Sequence, residues 1–128
     1  MRVVNIKKDN PNADYALFLI DEEIRYSKAT GNRVILIIHG YGSHGQGGVI
    51  KNEVKKYLPK LKKENVIEDY VFGENWGNLN PAKNLIESID PETILNQNLS
   101  QINSGVSVIL IWWRYLVHLW VFRYIYIY

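Results

Sequence analysis

The stretch Val34-Ile35-Leu36-Ile37-Ile38-His39-Gly40-Tyr41-Gly42-Ser43-His44-Gly45-Gln46-Gly47-Gly48 decides how this chain is read. A wholly apolar, largely β-branched run leads into five glycines in nine residues and then into an amphipathic helical pattern. Such a run fits a buried central strand, and the glycine-dense turn after it leaves backbone amides exposed. Glycine lets the main chain come close to a phosphate or carboxylate, and the N-terminus of the next helix adds a partial positive charge. His39 and His44 place two side chains that titrate near neutral pH in the same loop. The plain alternative is a tight strand-to-helix turn in which the glycines only reverse the chain.

Outward from this stretch, 128 residues make one domain with room for a single layered core. Apolar residues make up 47% of the chain, too many for a disordered polymer. There is no cysteine, which excludes a disulfide scaffold, a thiolate metal site and a thiol nucleophile. The N-terminal residues contain no apolar run long enough for a signal peptide, so a cytoplasmic protein is the simplest expectation. The formal charge of +2 hides an asymmetry. Lys51, Lys55, Lys56, Lys60, Lys62 and Lys63 face one acid, Glu53, directly after the glycine loop, and the next stretch, from Glu64 to Glu92, is acidic apart from Lys83. A lysine-rich helix is usually a solvated face, but one adjoining an anion-ready turn points to a polyanionic partner.

Val3 to Ile6 reads as a first strand, and Asn10-Pro11 as the cap and first residue of a helix running to Thr30, with Gly31 as its stop. A second helix carries the stripe Ile50, Val54, Leu58 and Leu61, with Pro59 inside it predicting a kink or short break. Asp69 to Phe72 is a third strand. Asn80-Pro81 and Asp90-Pro91 open two further helices, which would bury Leu85, Ile86 and Ile89, and Ile94, Leu95, Leu99 and Ile102. Val106 to Ile111 is the last strand. The order β-α-β-α-β, a helical insertion and a final β predicts a two-layer α/β sandwich.

Three motif readings compete. Gly40-Tyr41-Gly42-Ser43-His44-Gly45 satisfies the dinucleotide pattern G-x-G-x-x-G, but the chain is short for that fold and no acid stands at the end of the next strand. No Lys-Ser or Lys-Thr follows Gly47 or Gly48, so the phosphate-loop pattern fails. No G-x-S-x-G nucleophile elbow exists, which argues against hydrolase chemistry of that kind.

The strand Val34 to Ile38, its His39-Gly40-Tyr41-Gly42 loop, the glycine run to Gly48 and the helix with Ile50, Val54 and Leu58 resemble the Smr, or small MutS-related, domain family. The helix with Ala16, Leu17 and Ile20, and the final Gly105-Val106-Ser107-Val108-Ile109-Leu110, extend the resemblance over residues 3–111. It implies a sandwich like the C-terminal domain of translation initiation factor three. It also implies binding of DNA or RNA, with nicking endonuclease or RNA cleavage activity in some members. The family's first strand commonly ends L-D-L-H-G, where this chain has Val4-Asn5-Ile6-Lys7-Lys8. An amide replaces the acid and a lysine the histidine, so the resemblance implies binding with a degenerate or weak endonuclease. The segment Trp76 to Ser104 is a second departure, since the family's corresponding link is commonly brief.

Parallel neighbouring strands bring their C-terminal ends together, which predicts Lys7 and Lys8 beside His39. With Gly40, Tyr41, Gly42, Ser43, Gly45, Gly47, Gly48, Lys51 and Lys55 they form the candidate nucleic-acid-binding set. His39 and His44 are the candidate catalytic residues, as groups able to move a proton. His39 equally suits a role fixing the turn, Tyr41 reads first as a loop packing residue, and His44 fits a solvent-facing position. No cofactor or metal ligand is identified, and a divalent metal ion enters only if the chain is a nuclease. The alternatives are a small phosphorylated ligand or nucleotide in the loop, or a protein-interaction module. The latter would use residues 112–128, of which eight of seventeen are aromatic. That tail reads as a segment packed on the domain or on a protein partner, a membrane-surface segment, or an altered C-terminus. Arg114, His118 and Arg123 within it argue against an integral membrane span.

Overall fold

The computed structural model describes residues 1–9, 11–41, 46–77 and 79–112, with the side chains of residues 46 and 47 excepted. Gly42, Ser43, His44 and Gly45 and the tail from residue 113 onward lie outside the described residues.

The elements follow in the expected order. They are β1 (Arg2–Asn5), α1 (Ala13–Thr30), β2 (Val34–Ile38), α2 (Gln46–Lys63), β3 (Asp69–Phe72), a 3-10 turn (Gly73–Asn75), α3 (Pro81–Ile89), α4 (Glu92–Leu95) and β4 (Val106–Leu110). The four strands form one mixed sheet in the order β1-β2-β4-β3. β1 runs parallel to β2, and β4 runs antiparallel to both β2 and β3. The β1-α1-β2 crossover places the C-terminal ends of β1 and β2 side by side, with Asn5 opposite Ile38 and the Ile6 N–H donating to the Ile38 carbonyl at 3.0 Å.

Alternation along the strands sorts the core into two faces. Ile35, Ile37, Ile109 and Ile111 join Ile6, Ala16, Ile20 and Ile24 of the first segment and Ile50, Val54, Leu58 and Leu61 of α2 in one buried cluster. Tyr57 of α2 donates a hydrogen bond to Asp21 of α1, tying the two helices together on this face. Val34, Leu36, Val108 and Leu110 join Val71, Trp76, Ile86 and Leu99 on the other. The α/β sandwich is therefore present with α1 and α2 on one face. The insertion between β3 and β4 folds across the second, which is why β2 and β4 carry apolar residues at nearly every position.

Several local expectations are corrected. α1 begins at Ala13 with Asn12 as its cap, because the Asn12 side chain accepts from the Tyr15 N–H at 2.8 Å and so performs the work assigned to Asn10-Pro11. α2 runs unbroken through Pro59, held on both sides of it by buried Leu58 and Leu61. The expected helix after Asp90-Pro91 is a single turn that buries Thr93, followed by a loop that buries Leu99. Ile94 and Leu95 are exposed because a one-turn helix presents too little surface to turn its apolar side inward, and Ile102 of the following loop and Leu85 of α3 are exposed too. The cap of α3 is the expected one, with Asn80 accepting from the Ala82 and Lys83 amides.

Candidate functional site

The C-terminal ends of β1, β2 and β3 and the start of β4 meet along one edge of the sheet. Lys7 and Lys8 leave β1 there in a turn, and the Asn5 side chain accepts from the Lys7 N–H at 3.0 Å. His39 and Gly40 follow β2, and both of their N–H groups donate to the Gly105 carbonyl at 3.0 Å. Gly40 has φ 81°, a conformation that other residues adopt at a cost, and Lys7 lies over it: a side-chain carbon added at Gly40 would stand 3.1 Å from Lys7 Cδ. The expected juxtaposition of Lys7 and the glycine loop is thus realised. Lys8 is exposed beside it. The Gly40 amide, however, is spent on Gly105 and is not among those open to a ligand.

His39 is 1% exposed. Its Nδ1 lies 2.9 Å from the Gly40 carbonyl and its Nε2 2.9 Å from the Ser107 hydroxyl. A carbonyl only accepts, so Nδ1 carries the proton and Nε2 accepts from Ser107. Burial holds this imidazole below the usual histidine value. The Lys51 charge adds to that effect, while hydrogen bonds to backbone at Gly40 and Val106 and the Glu74 carboxylate oppose it without cancelling it. A neutral ring with both nitrogens engaged fixes the turn and has none left to offer a substrate. His39, one of the two expected catalytic residues, is thus held within the chain's own hydrogen bonds, and His44, the other, lies outside the described residues.

Tyr41 is 61% exposed, and its ring leans over Gly105, where an added side-chain carbon would meet it at 3.1 Å. Gly47 and Gly48 belong to the first turn of α2. Lys51 and Lys55, one helical turn apart on α2, are both partly buried. Among the described residues Lys51 makes no ion pair. Lys55 forms a close ion pair with Glu74 of the 3-10 turn and stands 5.3 Å from the Phe72 ring centroid. Burial raises the proton affinity of Glu74, but the hydrogen bond from Lys55, a bond from its own backbone and the charges of Lys55 and Lys51 prevail and hold it below the usual carboxylate range. Lys55 is therefore already neutralised within the chain.

The residues that sequence reasoning missed are the partners of these groups. Ser107 and Gly105 orient His39. Asn103 accepts from the Gly105 N–H at 2.9 Å and so shapes the turn before β4. Glu74 answers Lys55. The only signals were the Asn-Ser-Gly turn composition and the position of Glu74 just past a strand. The acids Glu68 and Asp69, grouped with Glu74 in sequence, stand at the opposite end of β3, where Glu68 pairs with Arg33 at 2.5 Å and Asp69 with Lys62 at 3.1 Å. Among the described residues no group of three or more histidines or acids could hold a metal ion, and no helix is long and apolar enough to cross a membrane. A cleft of about 530 Å³ lies over the insertion, between Trp76, Lys83, Glu87, Leu99 and Ile102.

The Smr domain family model matches residues 11–76, just over half of the chain. The match begins after β1, the strand that carries Asn5 and Lys7, and ends where the insertion begins. No curated protein matches the chain. The crystal structure of the Smr domain of Thermus thermophilus MutS2 superposes with a TM-score of 0.54 at 15% identity, covering 88% of this chain and 99% of that one. At that identity the likeness speaks for the fold alone.

Proposed function

Since the chain belongs to the Smr domain family, we propose that it binds nucleic acid at the sheet edge where β1, β2 and the first turns of α2 converge, with little or no cleavage of its own. The observation that carries this reading is the placement of Lys7 against Gly40, on the same edge as Lys8, together with Lys51 of α2, whose charge bears on the neighbouring His39. Cations from two separate elements thereby gather at one end of the sheet, an arrangement that suits the phosphates of a polymer better than a single small anion. Tyr41, exposed at the centre, offers an aromatic surface on which a base or sugar can stack. The reading of weak cleavage rests on Asn5 and Lys7. A side-chain amide and an ammonium group are poor proton acceptors, so the first strand lacks a general base.

The test is binding of labelled duplex, branched and single-stranded oligonucleotides across a salt series. Wild-type affinity should fall steeply with salt. Replacing Lys7 and Lys51 by Ala should weaken binding alike for all sequences and flatten the slope by about 0.7–0.9 for each phosphate no longer neutralised. A slope unchanged in the double variant means that these lysines are only a solvated face.

A further inference from the structure

Lys55 reads in sequence as one more cation of the phosphate-facing set, yet it is the one whose charge the chain answers itself. We propose that Glu74 is a built-in counter-anion, a carboxylate seated where a nucleic-acid phosphate would otherwise pair with Lys55, so that binding must displace it. This rests on the reading of the lysine-bearing edge as the nucleic-acid interface.

Three observations support it. The backbone beneath the carboxylate is closely packed: Glu74 follows Gly73, at which an added side-chain carbon would stand 1.8 Å from the Asn103 carbonyl oxygen. The 3-10 turn is thus wedged against the loop before β4, so displacement from Lys55 is a rotation of the Glu74 side chain and leaves the turn's backbone in place. The second observation is that the carboxylate faces two lysines. Its Oε1 pairs with Lys55, and Lys51, one turn earlier on α2, also bears on it electrostatically. The third is that its Oε2 is buried and, among the described residues, without a hydrogen-bond partner. A carboxylate engaged through one oxygen is incompletely satisfied, so exchanging it for a phosphate oxygen sacrifices less than exchanging a fully bonded one. The residue therefore lowers affinity and screens out single small anions, while a polymer that already contacts Lys7 and Lys51 can supply the competing phosphate at high local concentration.

The experiment compares wild type, Glu74→Gln, Lys55→Ala, the Glu74→Gln/Lys55→Ala pair and Glu53→Gln, using the same labelled single-stranded and duplex oligonucleotides over a salt series. Glu53 pairs with Lys56 at 3.7 Å elsewhere on α2, so its variant removes the same charge without freeing Lys55. The expected result is several-fold tighter binding by Glu74→Gln at an unchanged salt slope, since Lys55 meets a phosphate in both proteins, with the gain absent from Glu53→Gln and abolished in the Lys55→Ala background, whose slope is flatter than that of wild type by about 0.7–0.9. In the wild-type chain, saturation with oligonucleotide should also shift the Glu74 carboxyl carbon resonance. Wild-type affinity in Glu74→Gln, a salt slope steeper in Glu74→Gln than in wild type, an equal gain in the Lys55→Ala background, or a Glu74 resonance that stays fixed overturns the displacement while leaving the interface standing. Absence of binding by wild type and every variant removes the interface itself, and this inference with it.

Discussion

At His39 the two ring nitrogens face a carbonyl and a hydroxyl, and the ring is sealed beneath the turn it fixes. A proton on this imidazole therefore costs more in the folded chain than in the unfolded one. Because the folded-state pKa is the lower of the two, the unfolded chain takes up the proton first as pH falls. The stability tied to His39 is complete above the ordinary histidine value. It declines below that value until the lowered folded-state pKa is reached, by at most about 1.4 kcal/mol per pH unit. Denaturant unfolding of wild type between about pH 7.5 and 5.5 should show this decline, and His39→Gln should lack it. Equal slopes in the two proteins would mean that the ring is open to water. The nearby departure at Asn5 and Lys7 belongs to chemistry. Asn5→Asp together with Lys7→His supplies groups that can accept a proton, so single-turnover cleavage at saturating protein should rise, at the cost of the phosphate contact proposed for Lys7. Robust cleavage by wild type that persists in His39→Ala would contradict the weak-nuclease reading. Sequence alone made Lys7 legible beside the loop, because parallel pairing of β1 and β2 dictates it. It could not reveal that Ser107, 68 residues away, completes the histidine's hydrogen bonds.

Elements were most legible where periodicity and caps agreed. The apolar run of β2, the Asn80-Pro81 start of α3 and the stripe on α2 all formed as their patterns dictate. Pro59 did not break α2, since burial of Leu58 and Leu61 outweighs the loss of one backbone hydrogen bond. The turn after β3 shows the opposite case, a constraint invisible in its own sequence. Gly73 is buried where the chain crosses the Asn103–Gly105 loop, and the Asn103 N–H donates to its carbonyl at 3.3 Å. Gly73→Ala forces two stretches of backbone apart and should destabilise the fold by about 3 kcal/mol. Gly31→Ala, at the αL cap of α1 with open space around it, should cost only about 1 kcal/mol. Thermal or denaturant unfolding of the two variants checks the contrast, and similar losses would show that the crossing can relax.

For the molecule as a whole, the insertion is a structural layer and not an appendage. Ile86 of α3 is fully buried against the face of the sheet formed by Val34, Leu36, Val71 and Val108, whereas Leu95 of α4 is 84% exposed. Ile86→Ala should therefore cost about 2–5 kcal/mol of unfolding free energy, comparable with a central strand residue, and Leu95→Ala should fall within about 0.5 kcal/mol of wild type. A small effect at Ile86 would mean that the insertion can detach without unfolding the sheet. The family match stops at Trp76, so this second-face cover is built by residues beyond the matched segment.

The sequence by itself determined the elements, their order, the turn at the end of β2 and the gathering of Lys7 and His39 at one sheet edge. These follow from local hydrophobic period, caps and the parallel pairing that a β-α-β crossover imposes. Only the tertiary structure decided which face the insertion covers, that His39 is buried with both nitrogens engaged, that the Gly40 amide is spent on Gly105, and that Lys55 meets Glu74. Each of these depends on contacts between residues distant in the chain, where a side chain's polarity is visible in sequence but its partner is chosen by packing.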